Sequence, residues 1–258
     1  MTLALVAGKL LAWHPGLRHE AALMIEGIPL ETVDEIGSTS EALKVRAAHP
    51  GPEAALLARR QSGGHGRLGR PWQTVDGNLH LSVLLRPQNL RWPGHWSILA
   101  AVALADTVRS YMPNGALRLK WPNDLMLDGG KLAGILLEAG VATGPWLVIG
   151  FGVNLAGAPS GLGRPVACLA SSAPAPAPEA FAGRLLQALQ HWRTRYAAEG
   201  FDPVRAAWLA EAHAPSERIL VGIGAQRMQG AFRGLRDDGA LLLDGPEGEL
   251  AITAGELE

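Results

Sequence analysis

Cysteine is almost missing from this chain: Cys168 is the one thiol among 258 residues. That excludes an intrachain disulfide and a cysteine-based metal centre, and leaves Cys168 as small apolar filler. An excess of either charge is missing as well, since 23 Lys and Arg stand against 24 Asp and Glu for a net of −1. No global field draws in nucleic acid, so any cationic work must be local. No stretch reaches the ~18 uncharged apolar residues that cross a bilayer. The opening MTLALVAGKLLAW has no basic residue ahead of its apolar run and is broken by Lys9, unlike a secretory leader. A cytoplasmic protein with no membrane partner is the expectation. No internal repeat occurs, and no Cys-His or Ser-His-Asp arrangement offers a covalent nucleophile. What remains, 48% hydrophobic and 18% charged, suits one large domain or a large one with a small appendage.

Two short stretches stand out: Gln61-Ser-Gly-Gly-His-Gly-Arg-Leu-Gly-Arg-Pro-Trp72 and Lys120-Trp-Pro-Asn-Asp124. The first holds Gly63, Gly64, Gly66 and Gly69, whose bare backbone amides can form an anion-binding nest. Arg67 and Arg70 add planar forks suited to phosphate or carboxylate. Between Glu53 and Asp76 there is no acidic residue, while Arg59, Arg60, Arg67 and Arg70 all fall there. The segment from Gly64 to Gly69 also fits G-x-G-x-x-G. A dinucleotide fingerprint, however, needs a strand before it, a helix after it and an acidic residue ~20 positions on. Here Pro71-Trp72 and the strand-like NLHLSVLLR follow, and no carboxylate lies near Asn89. A plain glycine-rich surface loop is the simpler alternative.

Along the chain, residues 1–30 carry no clear pattern. Ser38-Thr39-Ser40 before Glu41 is a helix N-cap signature, opening a short helix over 41–48. Strands are expected at 54–60, 78–86, 117–120 and 146–155. A hairpin of 125–128 and 131–139 is expected to turn at Gly129-Gly130. Residues 95–112 read as a buried helix ending near Pro113. After an Ala/Gly/Ser/Pro-rich stretch at 156–178, helices are expected at 179–199 and 203–212. Four short strands between 218 and 253 then read as a small barrel.

The glycine loop, Lys120-Trp-Pro-Asn-Asp124, Lys131-Leu-Ala-Gly-Ile-Leu-Leu-Glu138 and Gly150-Phe-Gly-Val-Asn154 occur in the order and spacing of biotin protein ligases, which the chain resembles from about Asp34 onward. The resemblance implies an α+β fold: a central mixed sheet flanked by helices, class II synthetase-like, with a small C-terminal SH3-like barrel. The corresponding division is an extension at 1–31, a catalytic domain at 32–212 and the barrel at 213–258. It further implies that biotin and MgATP give biotinyl-5′-AMP and pyrophosphate, and that a carrier-protein lysine then takes the biotinyl group. Biotin and ATP are substrates in that scheme, Mg²⁺ comes with ATP, and no prosthetic group is held.

Position by position, the resemblance assigns biotin to Ser38, Thr39, Ser40, Gln61, Gly64, His65, Gly66, Arg67, Lys131 and Gly134. It assigns ATP to Arg67, Arg70, Trp72, Lys120, Asn123 and Asn154. The catalytic set is Arg67, Lys120, Asp124 and Lys131, with Asp124 also the candidate Mg²⁺ contact. Arg70 equally suits a surface ion pair, Trp121 packing, and Asn154 a turn. His65 stands where the family usually has Arg, and Ser40 where it has Asn. The 37 residues before Ser38 show no two-helix pattern with a basic face, so specific DNA binding is not expected. The carboxyl carrier protein of a carboxylase is the expected partner, with a homodimer left open. A lipoate or octanoate enzyme of the same superfamily, or a non-catalytic biotin-binding regulator, are the alternatives.

Overall fold

The computed structural model describes residues 23–223 and 226–257. The N-terminal apolar run, and most of the expected 1–31 extension, lie outside the described residues. Residues from Leu23 on are not an extension, however. Strands β1 (Leu23–Ile25) and β2 (Ile28–Ile36) form an antiparallel hairpin that opens the main sheet. Its two-residue turn is Glu26-Gly27, both at positive φ (49° and 80°), as a type I′ turn requires.

The main sheet adds β3 (Ala54–Gln61), β4 (Leu79–Leu85), β5 (Leu117–Lys120), β6 (Asp124–Leu127), β7 (Gly130–Val141) and β8 (Pro145–Val153). The strand order is β1-β2-β3-β4-β8-β7-β6-β5. Every neighbouring pair is antiparallel except β2 and β3. Parallel strands need a crossover, and helix α1 (Thr39–Ala47) supplies it. The β6–β7 turn sits at Asp128-Gly129 (φ 49° and 80°), one residue before the expected Gly129-Gly130. Gly130 is needed in the strand instead: a Cβ there would lie 2.8 Å from the Val166 carbonyl carbon.

Helices α2 (Pro93–Tyr111), α3 (Pro178–Glu199) and α4 (Asp202–Ala210) pack together, and α2 lies against β5, β6 and β7. Twelve of the 19 residues of α2 are buried, which explains why its sequence is apolar nearly all round. On the other face α1 packs on β3, β4 and β8, closing a small cluster of Val33, Ala42, Leu43, Ala47, Leu56, Leu84 and Val148. One short helix covers only part of that face; the cleft lies at its N-terminal end. Among the described residues no helix is long and apolar enough to cross a membrane.

The C-terminal strands β9 (Arg218–Ile223), β10 (Gln226–Leu235), β11 (Leu241–Gly245), β12 (Gly248–Ile252) and β13 (Glu256–Leu257) form a separate antiparallel sheet, order β12-β11-β10-β9-β13, of the SH3-like kind. It shares a core with the helices, Phe232 packing on Trp208 with ring centroids 6.4 Å apart. His95 adds a polar tie, stacking on Phe201 at 3.8 Å while its Nε2 bonds the Asp237 carbonyl at 2.7 Å.

Candidate active site

Cross-strand register builds the floor of the cleft. Ser82 of β4, Gly150 of β8 and Leu136 of β7 stand side by side, and so do His80, Gly152 and Gly134 in the next row. Residues two apart share a face, so both rows look toward α1 and the glycine loop. A Cβ on Gly150 would lie 2.7 Å from Ser40 Oγ, and one on Gly152 would lie 2.4 Å from Trp72 Cε2. Glycine is required at both places because the hydroxyl and the indole ring rest directly on the sheet.

At one end of this floor, Ser38 caps α1, its hydroxyl accepting from Glu41 N–H at 3.4 Å. The next residues enter a directed chain of hydrogen bonds. Gln61 Oε1 accepts from Thr39 N–H (2.8 Å) and from the Thr39 hydroxyl (3.1 Å). With its proton committed there, Thr39 Oγ1 accepts from Ser82 Oγ at 2.7 Å, and Ser82 in turn accepts from Ser40 at 2.9 Å. That order uses every hydroxyl proton in the chain and leaves spare lone pairs on Thr39, Ser82 and Ser40 and the NH₂ donors of Gln61; all four residues line the cleft. Gly64 is tucked behind that amide.

The glycine loop folds back on itself. Trp72 N–H bonds Gly64 carbonyl at 2.9 Å, Gly66 N–H bonds Arg70 carbonyl at 2.7 Å, and Leu68 and Gly69 turn the chain at φ 57° and 70°. This lays the Trp72 ring over the Gly134-Gly152 pair, with Lys131 Nζ 6.0 Å above the ring. Lys131 Nζ also meets Asp124 Oδ1 at 2.5 Å, the two side chains being 13% and 20% exposed. Asn123 is locked to β7 in both directions, Nδ2 donating to the Ile135 carbonyl (2.7 Å) and its own carbonyl accepting from Ile135 N–H (2.9 Å). The preceding Trp121-Pro122 peptide is cis. Arg67 reaches across to the C-terminal sheet, donating to the Gly255 carbonyl at 3.0 Å.

The cleft enclosed this way offers about 150 Å³ to water. The residues expected from sequence converge on it: Ser38, Thr39, Ser40, Gln61, His65, Gly66, Arg67, Arg70, Trp72, Lys120, Asn123, Asp124, Lys131 and Gly134 all line it. Gly64 and Asn154 do not. Asn154 is buried, and its amide bonds the carbonyls of Lys131 (3.3 Å) and Ala167 (3.0 Å), so it braces the wall instead of facing the opening.

The match of one family model, described as the biotin/lipoate A/B protein ligase family, spans residues 33–154. A biotin–[acetyl-CoA-carboxylase] ligase from Paracoccus denitrificans is 40% identical over 231 residues, covering 85% of this chain and 95% of that protein. The ligase of the same name from Mycobacterium tuberculosis is 33% identical, covering 88% of each. The chain belongs to the biotin protein ligase family. Its fold agrees: an Aquifex aeolicus biotin protein ligase in complex with biotin and ATP superposes with a TM-score of 0.77 at 23% identity, over 89% of this chain and 97% of that one.

Against that family background, several cleft residues were missed in the sequence. Ser82 sits inside the apolar run LHLSVLL, where a lone serine gives no signal. Arg164 lies in the Gly/Pro-rich stretch and Leu257 near the far end of the chain, yet both line the cleft. His65 Nε2 lies 3.5 Å from Glu41 Oε1. Glu41, His65 and Glu138 bring three donor atoms within 4.8 Å of one another. A cation is already there, since Lys44 Nζ lies 2.6 Å from both carboxylates. Partial burial disfavours the Lys44 charge, but the bonds and charges of Glu138 and Glu41 outweigh it and raise its pKa.

Proposed function

We propose that this chain activates biotin with ATP as biotinyl-5′-AMP and transfers the biotinyl group to a lysine of a biotin carboxyl carrier protein. The polarity of the Ser40–Ser82–Thr39–Gln61 chain carries this assignment. Biotin's ureido ring has one carbonyl acceptor and two N–H donors. A pocket end with amide donors from Gln61 and lone pairs on the hydroxyls complements it. Lipoate and octanoate offer nothing to these groups, and each buried polar group left unpaired costs about 1–3 kcal/mol. Two or three such losses amount to ~10³ in discrimination.

In the first step a biotin carboxylate oxygen attacks the α-phosphorus of ATP; the α–β bridging bond breaks and pyrophosphate leaves. Both reactants are anions, so the barrier falls chiefly through positioning and fixed positive charge. Lys131, held by Asp124, is the preorganised cation beside the reacting centre, and Arg67, Lys120 and Arg70 supplement it. Mg²⁺ enters with ATP as part of the substrate. Such an ion uses one or two carboxylates besides phosphates and water, and Asp124 is the carboxylate in place. In the second step the acceptor lysine nitrogen attacks the acyl carbonyl, the acyl–oxygen bond to AMP breaks, and the amide forms as the nitrogen loses its proton.

The decisive measurement is pyrophosphate release with ATP, Mg²⁺ and each acid in turn. Release should depend on biotin and should not occur with lipoate or octanoate; equal rates with those acids would overturn the assignment. A protein that binds biotin yet forms no adenylate would be the regulator. Lys131→Met should slow single-turnover adenylation by ~10²–10³ while changing biotin affinity little.

A further inference from the structure

We infer that Arg164 is a further phosphate-binding residue of the cleft, directed at the pyrophosphate portion of ATP. The inference rests on the adenylation assignment above and extends it to a residue outside the motifs. Arg164 lies in a stretch whose composition suggests a loose loop, but its backbone is held. Lys131 N–H bonds the Pro165 carbonyl at 3.1 Å, and Ala167 N–H bonds the Lys131 carbonyl at 3.0 Å. Lys131 and Val166 thus form a parallel bridge. Gly130 permits the approach, since any side chain there would collide with the backbone of Val166 and Ala167. Asn154 staples the same two strands of chain from below through the Lys131 and Ala167 carbonyls. Arg164 is therefore presented from a backbone braced against the lysine that faces the reacting centre.

Register places Arg164 at the outer end of the substrate's track. Leu136 of β7 lies beside Gly150, against which Ser40 and the hydroxyl chain rest. Gly134 lies under Trp72, and Lys131 follows with Asp124. From Leu136 to Lys131 an extended strand covers roughly 15 Å, enough to separate a ureido end from a phosphate end. Residues 164–167 bridge to the strand at Lys131, the phosphate end of that line. The Arg164 side chain lines the cleft, is exposed, and has no hydrogen-bond or ion-pair partner among the described residues. An unpaired guanidinium at the wet end of an anion track suits a polyphosphate, which it can grip with two parallel N–H donors.

Calorimetric titration with inorganic pyrophosphate in the presence of Mg²⁺ tests this without turnover. Arg164→Ala should bind pyrophosphate about tenfold more weakly, the scale of one charge-assisted contact, and Arg164→Lys should fall in between. The KM for ATP should rise in parallel, with biotin affinity unchanged. Pyrophosphate affinity within twofold of wild type would overturn the proposal, and so would an equal loss of biotin affinity, which would mark Arg164 as organising the whole cleft. Absence of pyrophosphate binding by wild type would overturn it too. Failure of wild type to form adenylate would instead overturn the ligase assignment, and the titration would still decide on Arg164.

Discussion

At the residue scale, two polar side chains of β4 face α1 with opposite outcomes. Ser82 is fully buried and satisfied by Thr39 and Ser40, whereas His80, two residues earlier, is buried with neither ring nitrogen bonded to a described group. Burial disfavours the imidazolium and lowers the His80 pKa from 6.5 to about 4. The folded protein therefore holds His80 neutral while the unfolded chain takes up a proton below pH 6.5. Stability should fall as pH drops from 6.5 towards 4, then level off, by about 3 kcal/mol from this group. Urea unfolding at pH 7.5 and 4.5 checks the prediction. Wild type should lose most of that amount beyond what His80→Leu loses, and equal losses would show that His80 is not the group responsible.

The element that matters most to the pocket is α1, and besides its apolar packing on the sheet it is tied there by a buried ion pair. Arg46 near its end donates twice to Glu31 of β2, at 2.6 and 2.7 Å, with the side chains only 10% and 6% exposed. Removing one member of a buried ion pair leaves a charge without a partner and typically costs about 3–5 kcal/mol, whereas replacing both by apolar groups is often neutral. Arg46→Met should accordingly destabilise the protein by that amount and weaken biotin binding, because α1 positions Ser38, Thr39 and Ser40. Adding Glu31→Leu should recover most of the stability. Chemical denaturation of the single and double variants decides; a double variant no more stable than Arg46→Met would rule out the unpaired charge as the cause.

At the scale of the whole molecule, the C-terminal sheet is one wall of the cleft. Strand β13 pairs with β9, bringing Leu257 into the lining, and the neighbouring Gly255 carbonyl holds Arg67 of the glycine loop. Deleting residues 255–258 removes both contacts. The adenylate should then escape faster and acylate lysines of unrelated proteins. Biotin incorporated into albumin present in the assay should rise several-fold over wild type, while circular dichroism stays unchanged. No increase would show that the C-terminal strand does not help retain the intermediate.

The sequence by itself determined the family, the helices, most strands of the main sheet and fourteen of the residues that line the cleft. These follow from local chemistry: glycines and arginines packed into one loop, Lys-Trp-Pro-Asn-Asp at a turn, apolar periodicity along strands and helices. Tertiary structure alone decided the rest. The β1–β2 hairpin was illegible because β2 buries Glu31, a charge whose partner lies 15 residues away on α1. The β6–β7 turn settled on Asp128-Gly129, with Gly130 left in the strand where the backbone at Val166 crowds it. Asn154, expected at the nucleotide, became a brace within the wall, while Ser82, Arg164 and Leu257 entered the cleft from segments without a motif. Which residues meet across strands depends on register between distant segments, and a pattern read along one segment carries no information about that register.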